Sequence, residues 1–191
     1  MSLLMLRVDT MLKRLLIAVA ALVLAAAHPA LAADPENTLL LELPTGKVTI
    51  ELRPDLAPKH VARVKELTRK GFYDGTVFHR VIPGFMAQGG DPTGTGTGGS
   101  GVKLRAEFTG EPFVRGVVGM ARSASPDSAD SQFFIMFGSA PSLDGRYTAI
   151  GRVVDGMESV DRIKAGDPGD NGIVSKPDKL IRMQVLADVK K

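Results

Sequence analysis

Arg80 stands inside an apolar run, Val77-Phe78-His79-Arg80-Val81-Ile82. A guanidinium in such a run needs partners or a wet cleft, because burying an unpaired charge is costly. A lone strand arginine commonly snorkels at a sheet edge. The neighbours of Arg80 point to a cleft instead. Phe85, Met86 and Gln88 follow closely, and then Gly89-Gly90. Phe85 and Met86 are consecutive, so a regular strand would place them on opposite faces. Pro83-Gly84 just before them supplies a bend that could turn both the same way. A second run, Gln132-Phe133-Phe134-Ile135, puts Gln132 and Phe134 on one face and leaves Phe133 to core packing. An arginine, a pair of amides and apolar rings make a cleft that binds by charge, hydrogen bonds and apolar contact.

The usual reactive groups are missing. The chain has no G-x-S-x-G, no Walker loop and no H-E-x-x-H. It has no Cys, which removes disulfides, thiol nucleophiles and thiolate metal sites. Beyond residue 32 the histidines are His60 and His79, without the tight spacing a metal site needs. His60, among charged neighbours in a helix, reads as a solvated surface residue. Residues 167–172, DPGDNG, carry Gly169 where a calcium loop needs an oxygen ligand, so they read as a turn. No metal and no cofactor is expected.

The elements that must position the cleft follow from periodicity. Residues 39–43 and 47–52 flank Pro44-Thr45-Gly46 as a hairpin, with Val48, Ile50 and Leu52 on one face. Residues 58–70 predict a helix: Pro58 suits its first turn, Val61, Val64 and Leu67 form its stripe, and Gly71 can end it. Strands are expected at 76–82, 85–88, 116–121, 133–137 and 148–154. A second helix is expected at 157–165, and an alternating strand at 180–189 closes the chain. Residues 92–101, PTGTGTGGSG, contain a formal G-x-G-x-x-G at Gly94, Gly96 and Gly99. No helical pattern follows it and no βαβ unit surrounds it, so it reads as a flexible surface loop and not a nucleotide site. The pattern predicts a mainly β domain, a closed antiparallel barrel with helical caps.

The first 32 residues of the 191 stand apart. Lys13-Arg14 precedes an unbroken apolar stretch, 15–27, and Ala30-Leu31-Ala32 gives a small-x-small end. That order reads as a secretory signal peptide over 1–32, cleaved near Ala32, and the stretch is short for a membrane span. Residues 33–191 form the expected domain, periplasmic or secreted. Arg7, Lys13 and Arg14 leave with the leader, so the remainder is close to neutral. It shows no basic patch with interleaved aromatics that would suggest nucleic acid.

At these residues the sequence resembles the cyclophilin family. The likeness runs through FHRVIPGFMAQGGD (78–91), GMA (119–121), SQFFI (131–135) and LDG (143–145). It extends to the opening hairpin, the APKHV helix onset (57–61) and the closing strand, nearly all of 37–190. The resemblance implies a closed eight-stranded antiparallel β-barrel capped by two α-helices. It implies binding of proline-containing polypeptides and acceleration of cis/trans exchange at X-Pro bonds, here in unfolded exported clients, by a monomer without a cofactor. Carried over position by position, Arg80 is the catalytic arginine. Phe85, Met86, Phe134 and Leu143 resemble the proline pocket, Gln88 and Gln132 the groups that hold the substrate backbone, and Ala121 the peptide-binding edge. His79 resembles a supporting residue. Ser142 stands where many eukaryotic members carry Trp, and Tyr147, at the pocket, where they carry His. Arg122 occupies another variable position.

The chemistry implied needs little. Amide resonance sets a rotation barrier of roughly 18–20 kcal/mol, while cis and trans X-Pro differ by only about 0.5–1 kcal/mol. In the twisted state the prolyl nitrogen regains a lone pair. A donor fork aimed at it, with the proline ring held in an apolar pocket, favours the twisted state over both planar ones. No nucleophile or proton transfer is required.

Overall fold

The computed structural model describes residues 34–190; the leader expected at 1–32 lies outside them. Alternating apolar residues make the first hairpin. Leu39, Leu41 and Leu43 of β1 (Thr38–Leu43) and Val48, Ile50 and Leu52 of β2 (Gly46–Leu52) are all buried. Helix α1 (Pro58–Arg69) starts on its proline and buries Val61, Val64 and Leu67. Then come β3 (Arg80–Ile82), β4 (Met86–Gly89), β5 (Val117–Met120), β6 (Phe133–Met136) and β7 (Ala149–Asp155). A short α2 (Met157–Asp161) and β8 (Arg182–Val185) complete the order. Every strand pairing is antiparallel, in the order β3-β4-β6-β5-β7-β2-β1-β8.

The expected closed barrel is corrected to an open, curled sheet with β3 and β8 at its edges. The reason is competition for the edge of β3. Segment 166–174 takes that edge: Val81 N–H donates to Gly172 O (2.8 Å), Gly166 N–H to Val81 O (2.9 Å) and Val174 N–H to His79 O (3.0 Å). The segment leading to β8 meets only the stretch before β3. There Phe78 N–H donates to Asp178 O (3.0 Å) and Leu180 N–H to Thr76 O (2.8 Å), around a Val77–Lys179 bridge. The strand expected at 76–82 is accordingly short, with bridges before it. The curl still encloses one core. Leu41, Ile50, Val81, Ala87, Val118, Ile135, Ile150 and Met183, one from each strand, belong to it.

His60 is a second correction: it is fully buried, not solvated. Helix α1 has Ala57 at its N-cap, which offers no side-chain acceptor. Glu107 supplies one from another part of the chain. It accepts from the N–H groups of Lys59 (3.1 Å) and His60 (3.0 Å) and pairs with His60 Nδ1 (2.7 Å). Burial alone would raise the Glu107 carboxyl; the bonds from His60 and Lys59 outweigh it and hold it below the usual range. A depressed folded value means that its contribution is complete above the ordinary carboxylate range and is lost as pH falls through the lower value. Glu107→Ala should cost about 2 kcal/mol, a lost cap plus a buried group left unsatisfied. Thermal unfolding at neutral pH should show a midpoint lower by roughly 4–8 °C. The gap between the two chains should begin to narrow as pH falls below the ordinary glutamate range and close once the native carboxyl, held lower, is protonated.

Candidate active site

Strand register assembles the site. Arg80 faces Gln88 across β3 and β4, Gln88 faces Phe134 across β4 and β6, and Phe134 faces Gly119 across β6 and β5. Cross-strand partners share a face, so these residues form one row. The adjacent row, Val81, Ala87, Ile135 and Val118, belongs to the enclosed core. The next, Ile82, Met86 and Met136, returns to the side of Arg80. This end of the sheet is therefore apolar on both faces, with Arg80 and Gln88 as the polar end of the outer row.

Arg80 is half-buried and held from two sides. Its Nε donates to Asn171 O (2.9 Å) and its Nη2 to Asn171 Oδ1 (2.9 Å). Its Nη1 donates to Gln88 Oε1 (3.2 Å). Burial pulls its pKa below the ordinary arginine value, partly offset by Tyr147; an arginine still stays protonated. Gln88 in turn donates to Gln132 Oε1 (2.9 Å), and Gln132 donates to Gly96 O (3.0 Å) and Gly98 O (2.9 Å). A continuous relay thus runs from Asn171 through Arg80, Gln88 and Gln132 into the 92–101 loop.

That loop, read as flexible from its composition, is tied down by carboxylates. Asp91 is fully buried and accepts from Thr93 N–H (2.7 Å), Gly96 N–H (2.6 Å) and Gly98 N–H (3.1 Å). Burial alone would raise the Asp91 carboxyl; the donors of Thr93, Gly98 and Gly96 outweigh it and leave it below the usual range. Asp130 accepts from the N–H groups of Ser100 (2.7 Å) and Gly101 (3.0 Å). His79 packs beneath Gly96 with both ring nitrogens unpartnered, and burial lowers its pKa. It supports the loop by packing.

Beside the relay lies an apolar cluster. Met86, Phe113 and Phe134 are buried in it, and Phe85, Ala121, Leu143 and Tyr147 pack against it half-exposed. The Phe113 and Phe134 rings stack at 5.7 Å, and Tyr147 meets Phe134 edge-on at 5.8 Å. Gly119 lies under both phenyl rings: a Cβ there would sit 2.5 Å from Phe134 and 2.6 Å from Phe113. The Arg122 guanidinium covers the Tyr147 ring at 4.4 Å and donates to Arg146 O through Nε (3.2 Å) and Nη2 (3.0 Å). A cleft of about 410 Å³ opens between Gln88, Gln132, Ala121 and Arg122 on one side and 96–99 on the other. Ala121 belongs to both the cluster and the cleft, and its N–H donates to Gln132 O (2.9 Å).

The structure brings all the residues singled out from sequence into this one region: Arg80, Phe85, Met86, Gln88, Ala121, Gln132, Phe134, Leu143 and Tyr147. Phe85 and Met86 do turn toward one cluster, the Pro83-Gly84 turn closing with Phe85 N–H on Ile82 O (3.0 Å). Sequence reasoning missed Phe113, which sits in an irregular stretch and is fixed by Asp144 Oδ1 on its N–H (2.8 Å). It also missed Asn171. The signal there was an Asn-Gly pair in the DPGDNG turn, where Asn takes a left-handed φ of 50°.

Comparison with known proteins bears on what such a site does. A sequence profile described as cyclophilin type peptidyl-prolyl cis-trans isomerase/CLD matches residues 38–185. A probable peptidyl-prolyl cis-trans isomerase of Brucella suis is 56% identical over 182 residues, covering 89% of this chain and 93% of its own. Peptidyl-prolyl cis-trans isomerase B of Bacillus subtilis is 46% identical over 123 residues, covering 63% and 85%. Among solved structures, the cyclophilin AquaCyp293 of Hirschia baltica superposes with a TM-score of 0.74 at 29% identity, covering 83% of this chain and 77% of that one. A Cryptosporidium parvum cyclophilin type peptidyl-prolyl cis-trans isomerase, crystallised in the presence of the dipeptide Ala-Pro, superposes with a TM-score of 0.71 at 30% identity, covering 78% and 98%.

Proposed function

The chain belongs to the cyclophilin-type peptidyl-prolyl cis-trans isomerase family and catalyses exchange at X-Pro bonds; we propose that Arg80 is its catalytic residue and that its clients are exported proteins. The row Arg80, Gln88, Phe134 carries the first part, because it sets a fixed donor fork beside an apolar ring site. Asn171 and Gln88 occupy three of the five guanidinium N–H groups, which leaves one on each terminal nitrogen. Those two are the ones for the prolyl nitrogen and the carbonyl before it. In a planar amide the nitrogen lone pair is delocalised and accepts poorly. In the twisted amide it is localised and accepts well, so the contact strengthens only in the transition state. Partial burial of Arg80 lowers the local dielectric and raises the value of that contact.

Placement supports the other roles in this reading. Phe134 and Met86 form the floor under the proline ring, with Phe85, Leu143 and Tyr147 at its rim. Ala121 offers the edge along which the peptide lies. Gln132 already donates both amide hydrogens to the loop, so its part is to fix Gln88; Gln88 keeps one amide hydrogen for the substrate backbone. The Cryptosporidium structure obtained with Ala-Pro supports proline-containing peptides as the ligand class.

The export reading rests on Lys13-Arg14, the apolar stretch 15–27 and Ala30-Leu31-Ala32. Cleavage after Ala32 gives a mature monomer, periplasmic or secreted, that meets unfolded proline-containing clients after translocation and assists their folding, without membrane insertion and without nucleic acid. Residues 1–40 fused to an alkaline phosphatase lacking its own leader should give an active fusion processed after residue 32 in a diderm bacterium. An inactive, unprocessed fusion held in the cytosol would remove the export reading.

A further inference from the structure

The turn 167–172 looked inert from sequence, yet it touches the reactive arginine more closely than any other segment. We propose that Asn171 is a positioning residue for catalysis: it holds the Nε and Nη2 side of the Arg80 guanidinium so that the remaining N–H groups point at the twisting amide. This deepens the assignment of Arg80 and rests on it.

Asn171 contributes twice. Its backbone oxygen accepts from Nε and its side-chain Oδ1 accepts from Nη2, both at 2.9 Å. Two acceptors from one residue match the side edge of the guanidinium fork and fix its plane, where a single acceptor would leave it free to pivot. Presenting both at once requires the left-handed backbone seen at Asn171, the only non-glycine residue with positive φ among those described. Asn adopts that conformation more readily than most side chains, and its carboxamide can reach the same partner as its carbonyl.

The turn itself is rigidly mounted. Asp167 O accepts from Gly172 N–H (2.8 Å), and Asp167 Oδ1 accepts from Gly169 N–H (2.8 Å). Gly172 then accepts from Val81 N–H, the residue after Arg80. A Cβ on Gly172 would meet Ile82 at 2.4 Å, so the turn lies directly on β3. Asn171 is exposed and packs into no core, so its side chain has little structural work apart from Arg80. A misplacement of about 1 Å can cost roughly a hundredfold in rate.

The test is Asn171→Gly, which keeps the backbone acceptor and tolerates positive φ but removes Oδ1. Exchange of an X-Pro peptide is measured to saturation, beside Arg80→Lys, with melting curves and side-chain NMR of Arg80 for the Asn171 variant. The expected result is a fall in kcat of about tenfold, the size of one hydrogen bond to a charged group. KM should stay within about twofold and the melting temperature should hold, while rotation of the Arg80 guanidinium quickens. An unchanged kcat would overturn the proposal, as would a lower kcat with unaltered Arg80 signals. The control separates the two readings. Arg80→Lys as active as the unaltered chain would sink Arg80 as the catalyst; an impaired Arg80→Lys beside a fully active Asn171→Gly would sink Asn171 alone.

Discussion

Arg80→Ala is expected to lower kcat/KM for X-Pro exchange by about a hundredfold or more, close to 2.7 kcal/mol of transition-state stabilisation. The figure is that of removing one preorganised donor group from a site where charge or a lone pair develops. The fold should survive the change. Arg80 is half-buried, its partner Asn171 is exposed, and the core row of β3 is carried by Val81. The melting temperature should therefore move by only about 2–4 °C, the cost of about 1 kcal/mol of hydrogen bonding in a chain of this size. Arg80→Lys should fall between the two, because an ammonium keeps the charge and loses the planar fork. Equal rates for the Ala variant and the unaltered chain would remove Arg80 from the mechanism.

The second large effect is expected at Phe134. Its ring stacks on Phe113, takes the edge of Tyr147 and covers Gly119, so it is the centre of the apolar floor. Phe134→Ala should reduce kcat/KM by ten- to hundredfold, mainly through KM, corresponding to about 1.5–3 kcal/mol of lost apolar contact with the proline ring. The same change opens a cavity and should cost about 3–5 kcal/mol of folding stability. Phe134→Leu separates the two. It keeps most of the apolar volume, should lose only about 1–1.5 kcal/mol of stability, and still removes the flat ring face proposed to carry the proline. A Leu variant with a raised KM and a nearly native melting curve fits this account; a Leu variant with native kinetics does not.

Much of the site was legible because its residues lie in strands or at their ends. In Phe78-His79-Arg80-Val81-Ile82 the polar residue breaks an apolar run, and period-two alternation then carries it away from the core. The continuous apolar strand Phe133–Met136 was harder. Its alternate residues serve different faces, Phe133 and Ile135 the enclosed core, Phe134 and Met136 the outer cluster. Periodicity cannot say which face is which when both are apolar. The parts that escaped reach the site through backbone geometry. Phe113 and Asn171 sit in irregular segments without period, and each is placed by hydrogen bonds from elements distant in sequence. The same blindness explains His60. Charged neighbours suggested solvent, whereas its actual partner, Glu107, is 47 positions away. It also explains barrel closure. Strand count implied a closed ladder, but whether the edge of β3 meets β8 or the 166–174 segment depends on a turn whose docking leaves no composition signal.

The loop 92–101 shows how composition alone misleads in the other direction. Its Gly/Thr content predicted flexibility, yet buried Asp91 gathers its N–H groups and the Gln132 amide gathers its carbonyls. Glycine matters there because unencumbered backbone can converge on one carboxylate: a Cβ on Gly98 would meet Asp91 Oδ1 at 2.2 Å. The loop is a structural arm of the relay that runs through Gln132, Gln88 and Arg80 to Asn171.

Catalysis is proposed to come from a fixed guanidinium that favours the twisted amide, with no proton moved. The most direct measurement is the exchange rate of an X-Pro peptide by NMR, with the unaltered chain, in H2O and in D2O. Faster exchange in both directions, an unchanged cis fraction and a solvent isotope ratio close to one are expected. Exchange no faster than in buffer alone would contradict the activity, and a ratio well above one would contradict the mechanism.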